Sequence, residues 1–208
     1  MDKSISVTTL FVDIGGVLLT DGWGHEFRKL AVSEFNLDPE EMETRHSIVF
    51  ETFEVGKLTL EEYLNLVVFY QPRPFTQAQF QEFMFARSES DPKMISLIRQ
   101  LKAKYGLKIV VVSNESRELN AHRIQKFRLN EFVDYFVSSC YIGLRKPDAD
   151  IFRLALDVSQ ISVEQVVYIE NTQMFVQIAE GIGIRGIWHT DYQSTREKLA
   201  SFGLEVDI

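Results

Sequence analysis

Four short segments carry residues able to do chemistry together. Asp13 follows the apolar run VTTLFV and precedes Gly15-Gly16, Ser113-Asn114 follows KIVVV, Lys146-Pro147 follows CYIGLR, and Glu170-Asn171 follows VVYI. A carboxylate, a hydroxyl, a lysine and a second carboxylate suit phosphoryl transfer. One carboxylate attacks, while a metal and a cation offset charge on the phosphoryl oxygens. Each residue also has an ordinary structural explanation. An Asp that ends a strand is commonly a turn residue, and Ser113-Asn114 could cap a helix beginning near Ser116. Lys146 could be a solvated lysine, and Glu170 a first-turn acid favoured by the helix dipole. Their shared context separates them from that background, because all four lie where a strand ends or a helix begins.

The elements that must position them can be read from the apolar pattern. Five β-branched runs predict strands: Val7–Val12, Lys108–Ser113, Val133–Ser138, Gln165–Ile169 and Ile184–His189. Their near-continuous apolarity predicts burial on both faces, as in a parallel sheet. Helical stretches alternate with the later runs at Pro92–Lys104, Ser116–Phe127, Asp148–Asp157 and Thr172–Glu180. Asp91-Pro92 reads as an N-cap followed by the first helical residue, and Gly106 and Gly181 read as stop signals. The alternation predicts an α/β fold, a Rossmann-like doubly wound parallel sheet, with right-handed crossovers. Such a sheet gathers the carboxyl ends of its strands, and therefore the four segments, along one edge.

From about Gly22 to Ser90 the alternation stops, and three or four amphipathic helical patterns replace it. Nine of the 16 phenylalanines fall here: Phe27, Phe35, Phe50, Phe53, Phe69, Phe75, Phe80, Phe83 and Phe85. The segment predicts a small α-helical cap subdomain (21–90) with an aromatic core. It is inserted into an α/β core made of 1–20 and 91–208. Gly22 and Gly24 would suit a hinge between the two.

Composition bounds the function. The chain has 208 residues, 45% of them hydrophobic and 25% charged, as expected of one globular domain with an insertion. The formal net charge of −8 argues against a nucleic-acid binder, which needs clustered cations. The single Cys140 allows neither an intramolecular disulfide nor a multi-cysteine metal site. No apolar run approaches a membrane span, and Asp13 interrupts the apolar stretch near the start. These features predict a cytoplasmic protein without membrane partners, whose oligomeric state, monomer or homodimer, stays open.

The segments FVDIGGVLLT, VVVSNES, GLRKPDADIF and VVYIENT, in this order, resemble motifs I to IV of the haloacid dehalogenase superfamily. The helical insertion resembles that superfamily's C1-type cap. The form of motif I, with glycine two residues after the aspartate, looks similar to a branch that contains glucose-1-phosphate phosphatase. The resemblance implies a phosphatase acting on a small phosphorylated metabolite. Asp13 would attack phosphorus and form an aspartyl-phosphate. Ser113 and Asn114 would hold phosphoryl oxygens, and Lys146 would offset charge between Asp13 and the phosphate. Asp13, the Gly15 carbonyl, Glu170 and Asn171 would hold Mg²⁺, which suits oxygen ligands.

Two departures from the family pattern matter. Most phosphatases of the superfamily place a second aspartate, the general acid and base, where Gly15 stands here. A positioned general acid–base is worth about 10²–10⁴-fold. Its loss implies a slow enzyme that prefers acyl, aryl or anomeric phosphates, whose leaving groups need little protonation. His25 or Glu26 of the cap could stand in for it. Asn171, in place of a second motif IV acid, implies weaker Mg²⁺ binding. The alternatives are a 2-haloacid dehalogenase-like hydrolase, which forms an ester at Asp13 without metal, and a catalytically impaired binding or regulatory protein. Cys140, Trp188 and His189 read as packing residues, and Trp23 as packing with a possible substrate contact.

Overall fold

The computed structural model describes residues 6–206. Five strands form one parallel sheet: β1 (Thr9–Val12), β2 (Lys108–Ser113), β3 (Tyr135–Ser138), β4 (Val166–Glu170) and β5 (Arg185–Trp188). Their spatial order is β3-β2-β1-β4-β5. The chain therefore winds outward from β1 in one direction, then returns to its other side. That reversal creates a crevice at the carboxyl ends of the central strands, where α/β sheets bind ligands.

The predicted burial on both faces is observed in β1, β2 and β4, where alternation along the strands explains it, whereas the edge strands β3 and β5 leave Tyr135 and Trp188 exposed. Leu10, Val12, Ile109, Val111, Val167 and Ile169 face one layer, packed on Met94, Leu97, Ile98 and Leu101. Phe11, Val110, Val112, Val166 and Tyr168 face the other, packed on Ile151, Phe152 and Ala155. The covering helices are α5 (Pro92–Tyr105), α6 (Arg117–Lys126), the single turn α7 (Ser139–Ile142), α8 (Asp150–Ser159), α9 (Gln173–Gly181) and α10 (Tyr192–Ser201). The last of these, α10, is absent from the sequence reading. It buries only Thr195 and Leu199, too sparse an apolar stripe to stand out.

The cap signals at α5 form as expected. Asp91 accepts from the amides of Lys93 and Met94, Pro92 opens the helix, and Gly106 closes it in the left-handed conformation at φ 65°. Asp91→Ala should destabilise the protein by about 1 kcal/mol. A shift of under about 1 °C in the melting temperature would show that the cap is dispensable. Gly181 departs from expectation. It is the last residue of α9, and the left-handed glycine is Gly183 two residues on.

Between β1 and α5 lie α1 (His25–Glu34), α2 (Pro39–Glu54), α3 (Leu60–Val67) and α4 (Gln77–Ala86), with no strand among them. They enclose a separate core in which Phe53, Tyr63 and Phe80 are buried and Phe35, Phe69, Phe75, Phe83 and Phe85 pack around them. Trp23 belongs to this core. Its indole donates to the Tyr63 hydroxyl at 2.8 Å and meets Phe80 edge-on. Packing explains Trp23 without a substrate contact.

The helical unit joins the sheet through a short antiparallel ribbon. Asp91 N donates to Leu18 O and Thr20 N to Glu89 O, both at 2.8 Å. It is also latched to the loops at the carboxyl end of the sheet. Ser139 Oγ donates to Glu54 O at 2.7 Å, Arg145 pairs with Glu54 at 2.9 Å, and Leu60 N donates to Glu118 at 3.0 Å. The four helices therefore sit beside the segments that follow β2 and β3.

Candidate active site

Register brings the two acids together. Val12 of β1 is level with Ile169 of β4, so the next residues, Asp13 and Glu170, stand side by side on neighbouring strands about 5 Å apart. The Asp13 amide continues the ladder by donating to Ile169 O at 3.0 Å. Ser113 ends β2 on the other side of β1. Lys146 is supplied by the loop after α7 rather than by a helix start, because α8 begins only at Asp150.

Asn114 has a different role from helix capping. Its amide clasps the Lys146 backbone, donating to Lys146 O at 2.9 Å and accepting from Lys146 N at 2.8 Å. This double clasp fixes the loop that aims the lysine. Lys146 Nζ lies 3.0 Å from Asp13 Oδ1 and donates to Glu170 Oε2 at 2.5 Å. The lysine is 1% exposed, Glu170 0% and Asp13 6%. One ammonium is thus shared between two buried carboxylates.

The electrostatic consequence is visible at Asp13. Burial, and then the charge of Glu170, push its carboxyl up to about 7, although Lys146 and the Ser113 hydroxyl pull it down. Burial opposes the charge on Lys146 as well, but Asp13 and Glu170 outweigh it and raise the ammonium's pKa. Asp13 Oδ1 is buried, with the Lys146 ammonium 3.0 Å away as its ion-pair partner. The cluster therefore carries more negative charge than Lys146 neutralises.

Two residues outside the sequence reading complete this cluster. The Tyr168 hydroxyl, on the same face of β4 as Glu170, donates to Glu170 Oε2 and receives a hydrogen bond from Lys146 at 3.2 Å. The Thr172 amide donates to Glu170 Oε1 at 2.8 Å. The alternation of β4 could have flagged Tyr168, since residues two apart share a face. Beneath the link from β1 to α1, Arg123 is fully buried, pairs with Glu115 and donates to Thr20 O. Nothing in the local pattern of α6 announces that long-range contact.

The Asn171 side chain lies over Gly16. A Cβ on Gly16 would stand 2.1 Å from Asn171 Nδ2, and φ there is +70°, so glycine is required on both counts. The acidic donors are two, Asp13 and Glu170. Among the described residues no three His, Cys, Asp or Glu side chains converge as a metal cluster. The Gly15 carbonyl and the Asn171 amide would have to complete any cation site, an all-oxygen set suited to an ion that keeps several waters.

His25 and Glu26 are on the surface of α1. His25 lies 3.5 Å from Glu43, and Glu26 pairs with Lys29; both are more than half exposed. Neither joins the cluster around Asp13. Trp188 is 48% exposed rather than packed, and its indole donates to Asn171 O at 3.0 Å. His189 bonds Thr195 Oγ1 at 2.7 Å, a structural contact. Cys140 is buried in α7, two residues past the end of β3, and burial pushes its thiol up to about 12.

Comparison with known proteins agrees with this architecture. A HAD family enzyme of Bacteroides thetaiotaomicron, solved with magnesium and inorganic phosphate, superposes with a TM-score of 0.71. It is 17% identical, over 88% of this chain and 93% of that one. An L-2-haloacid dehalogenase superposes with a TM-score of 0.65 at 15% identity, over 89% and 87% of the two chains. At these identities the likeness is one of fold. Among curated proteins, bifunctional epoxide hydrolase 2 of Rattus norvegicus is 26% identical over 125 residues. That match takes in 58% of this chain and 22% of the relative, so the chain spans about a fifth of the relative's length. Residues 7–183 match the haloacid dehalogenase-like hydrolases as a family, and the chain belongs to that family of hydrolases.

Proposed function

We propose that the protein is a Mg²⁺-dependent phosphatase, acting on a small phosphorylated metabolite through an aspartyl-phosphate at Asp13. The observation that carries this reading is the sharing of one buried lysine, Lys146, between two buried carboxylates, Asp13 and Glu170. Such a cluster fits a divalent cation, whose charge it lacks. Asp13, Glu170, Asn171 and the Gly15 carbonyl are the groups that would hold Mg²⁺, and the ion when bound would offset charge on the phosphoryl oxygens. Asp13 is the nucleophile, Ser113 faces the phosphoryl group, Asn114 positions the loop that carries Lys146, and Lys146 steadies the charge between the phosphoryl group and Asp13. The HAD family enzyme solved with magnesium and inorganic phosphate supports this reading by analogy of fold. We read the cytoplasm as its setting, from a single buried, free cysteine.

A metal-free reading has one observation of its own. Both oxygens of Glu170 are already engaged, Oε2 by Lys146 and Tyr168 and Oε1 by Thr172. That arrangement would also serve a 2-haloacid dehalogenase, in which Asp13 displaces halide. The test is phosphate release with Mg²⁺ from acyl, aryl, anomeric and alkyl phosphates, beside halide release from 2-chloropropionate without metal. Phosphate release that disappears in Asp13→Asn is the expected result, with acyl and aryl phosphates turned over faster than alkyl ones. Halide release without metal, and no phosphate, would overturn it in favour of the dehalogenase. Release of neither would leave a binding protein.

A further inference from the structure

Most buried carboxylates near the sheet's carboxyl edge are already committed. Glu170 is held by Lys146, Tyr168 and Thr172, Glu115 is held by Arg123, and Glu54 is held by Arg145. Asp21 is different. It is exposed, no cation pairs with it among the described residues, and its hydrogen bond comes from the adjacent Gly22 amide at 3.2 Å.

The hinge fixes where this carboxylate goes. Thr20 is anchored by its backbone bond to Glu89 O, by its hydroxyl to Arg87 O at 2.9 Å, and by Arg123 on its carbonyl. The next residue, Asp21, folds back against the loop that follows β1. Its Oδ1 lies 3.2 Å from the point where a Cβ on Gly15 would stand, and its Oδ2 lies 2.7 Å from the corresponding point on Gly24. Both glycines have ordinary negative φ, so what they provide is room rather than an unusual backbone. A Cβ at Gly24 would collide with the carboxylate, and one at Gly15 would press on it. The space that Gly15 leaves two residues after Asp13 is therefore filled by an acid from the cap hinge.

We propose that Asp21 is the acid and base of the reaction, a role that rests on the phosphatase reading. As the Asp13 oxygen bonds to phosphorus and the bond to the leaving oxygen breaks, protonated Asp21 gives its proton to that oxygen. The Asp21 carboxylate then takes a proton from the water that attacks the aspartyl-phosphate. Inorganic phosphate leaves, and Asp13 regains its carboxylate. The donor is carried by the hinge and not by the β1 loop, so its placement depends on the seating of the cap.

The experiment compares kcat/KM for 4-nitrophenyl phosphate and glycerol phosphate, with Mg²⁺, in the wild type, Asp21→Asn, and Gly15→Asp combined with Asp21→Gly. An alkoxide needs the proton and a nitrophenolate does not. Asp21→Asn should therefore lose about 10²-fold on glycerol phosphate, and less than about threefold on 4-nitrophenyl phosphate. Phosphoenzyme should accumulate with the latter, because its hydrolysis still needs the base. The double variant moves the carboxylate onto the β1 loop and should bring glycerol phosphate turnover back to within about tenfold of the wild type. A structural role for Asp21 would lower both substrates alike, and that result, or no effect on either, overturns this inference alone. A wild type that releases phosphate from neither substrate overturns the phosphatase reading and this inference with it.

Discussion

Asp13→Asn should abolish phosphate release and yet make the protein more stable above neutral pH. The two effects have one cause. Folding holds the Asp13 carboxyl against burial and the neighbouring Glu170 charge, which raise its pKa from 3.8 to about 7. A carboxyl raised in this way binds its proton more tightly in the folded chain than in the unfolded one. Stability therefore falls as pH climbs from about 4 through about 7, and the full penalty is present above that. An asparagine of the same shape removes the penalty and leaves Lys146 paired one-to-one with Glu170. The expected gain at pH 8 is on the order of 2–4 kcal/mol, read as a rise of about 5 °C or more in the melting temperature. At pH 4 the wild type is protonated at Asp13 and the difference should nearly vanish. Mg²⁺ should raise the melting temperature of the wild type at pH 8 more than that of the variant, since a ligand stabilises the state that binds it. Equal melting temperatures at pH 8 would show that Asp13 is not under electrostatic strain.

Lys146→Met should do the opposite to stability. The methionine keeps much of the length but leaves Asp13 and Glu170 side by side without a cation. Removing one partner from a buried charge cluster costs about 3–5 kcal/mol, which corresponds to a drop of roughly 10 °C in a chain of this size. On the proposed mechanism activity should fall by on the order of 10²–10³-fold, because the one preorganised positive charge assigned to the phosphoryl group is gone. The loss of stability should be smaller at pH 5 than at pH 8, since protonation of Asp13, whose carboxyl is raised to about 7, relieves the repulsion. Combining the substitution with Asp13→Asn should recover part of the stability and none of the activity. Additive losses in the double variant would mean that Lys146 and Asp13 do not interact.

These expectations rest on a charge count that can be made only after residues from four distant segments have met. Asp13, Ser113, Lys146 and Glu170 are legible as candidates because an apolar run leads to each, and parallel strands end together. The level placement of Asp13 and Glu170 follows from strand register, which no local pattern states. Asn114 shows the difference well. From its neighbours it reads as a helix cap or a phosphate contact, and in the structure it clasps the backbone of Lys146 from 32 residues away.

Periodicity along the chain is enough to give the alternating strands and helices, the aromatic helical insertion, the N-cap at Asp91 and the sheet edge where Asp13, Ser113, Lys146 and Glu170 gather. Those features depend on side-chain periodicity and backbone preference, which act between near neighbours along the chain. Long-range packing places Tyr168 on Glu170, Arg123 on the Thr20 carbonyl, His25 and Glu26 on the surface, and Asp21 back toward Gly15. Each of these is a contact between polar groups whose partners are fixed by packing, and a polar side chain looks the same in sequence whether it meets water or another residue.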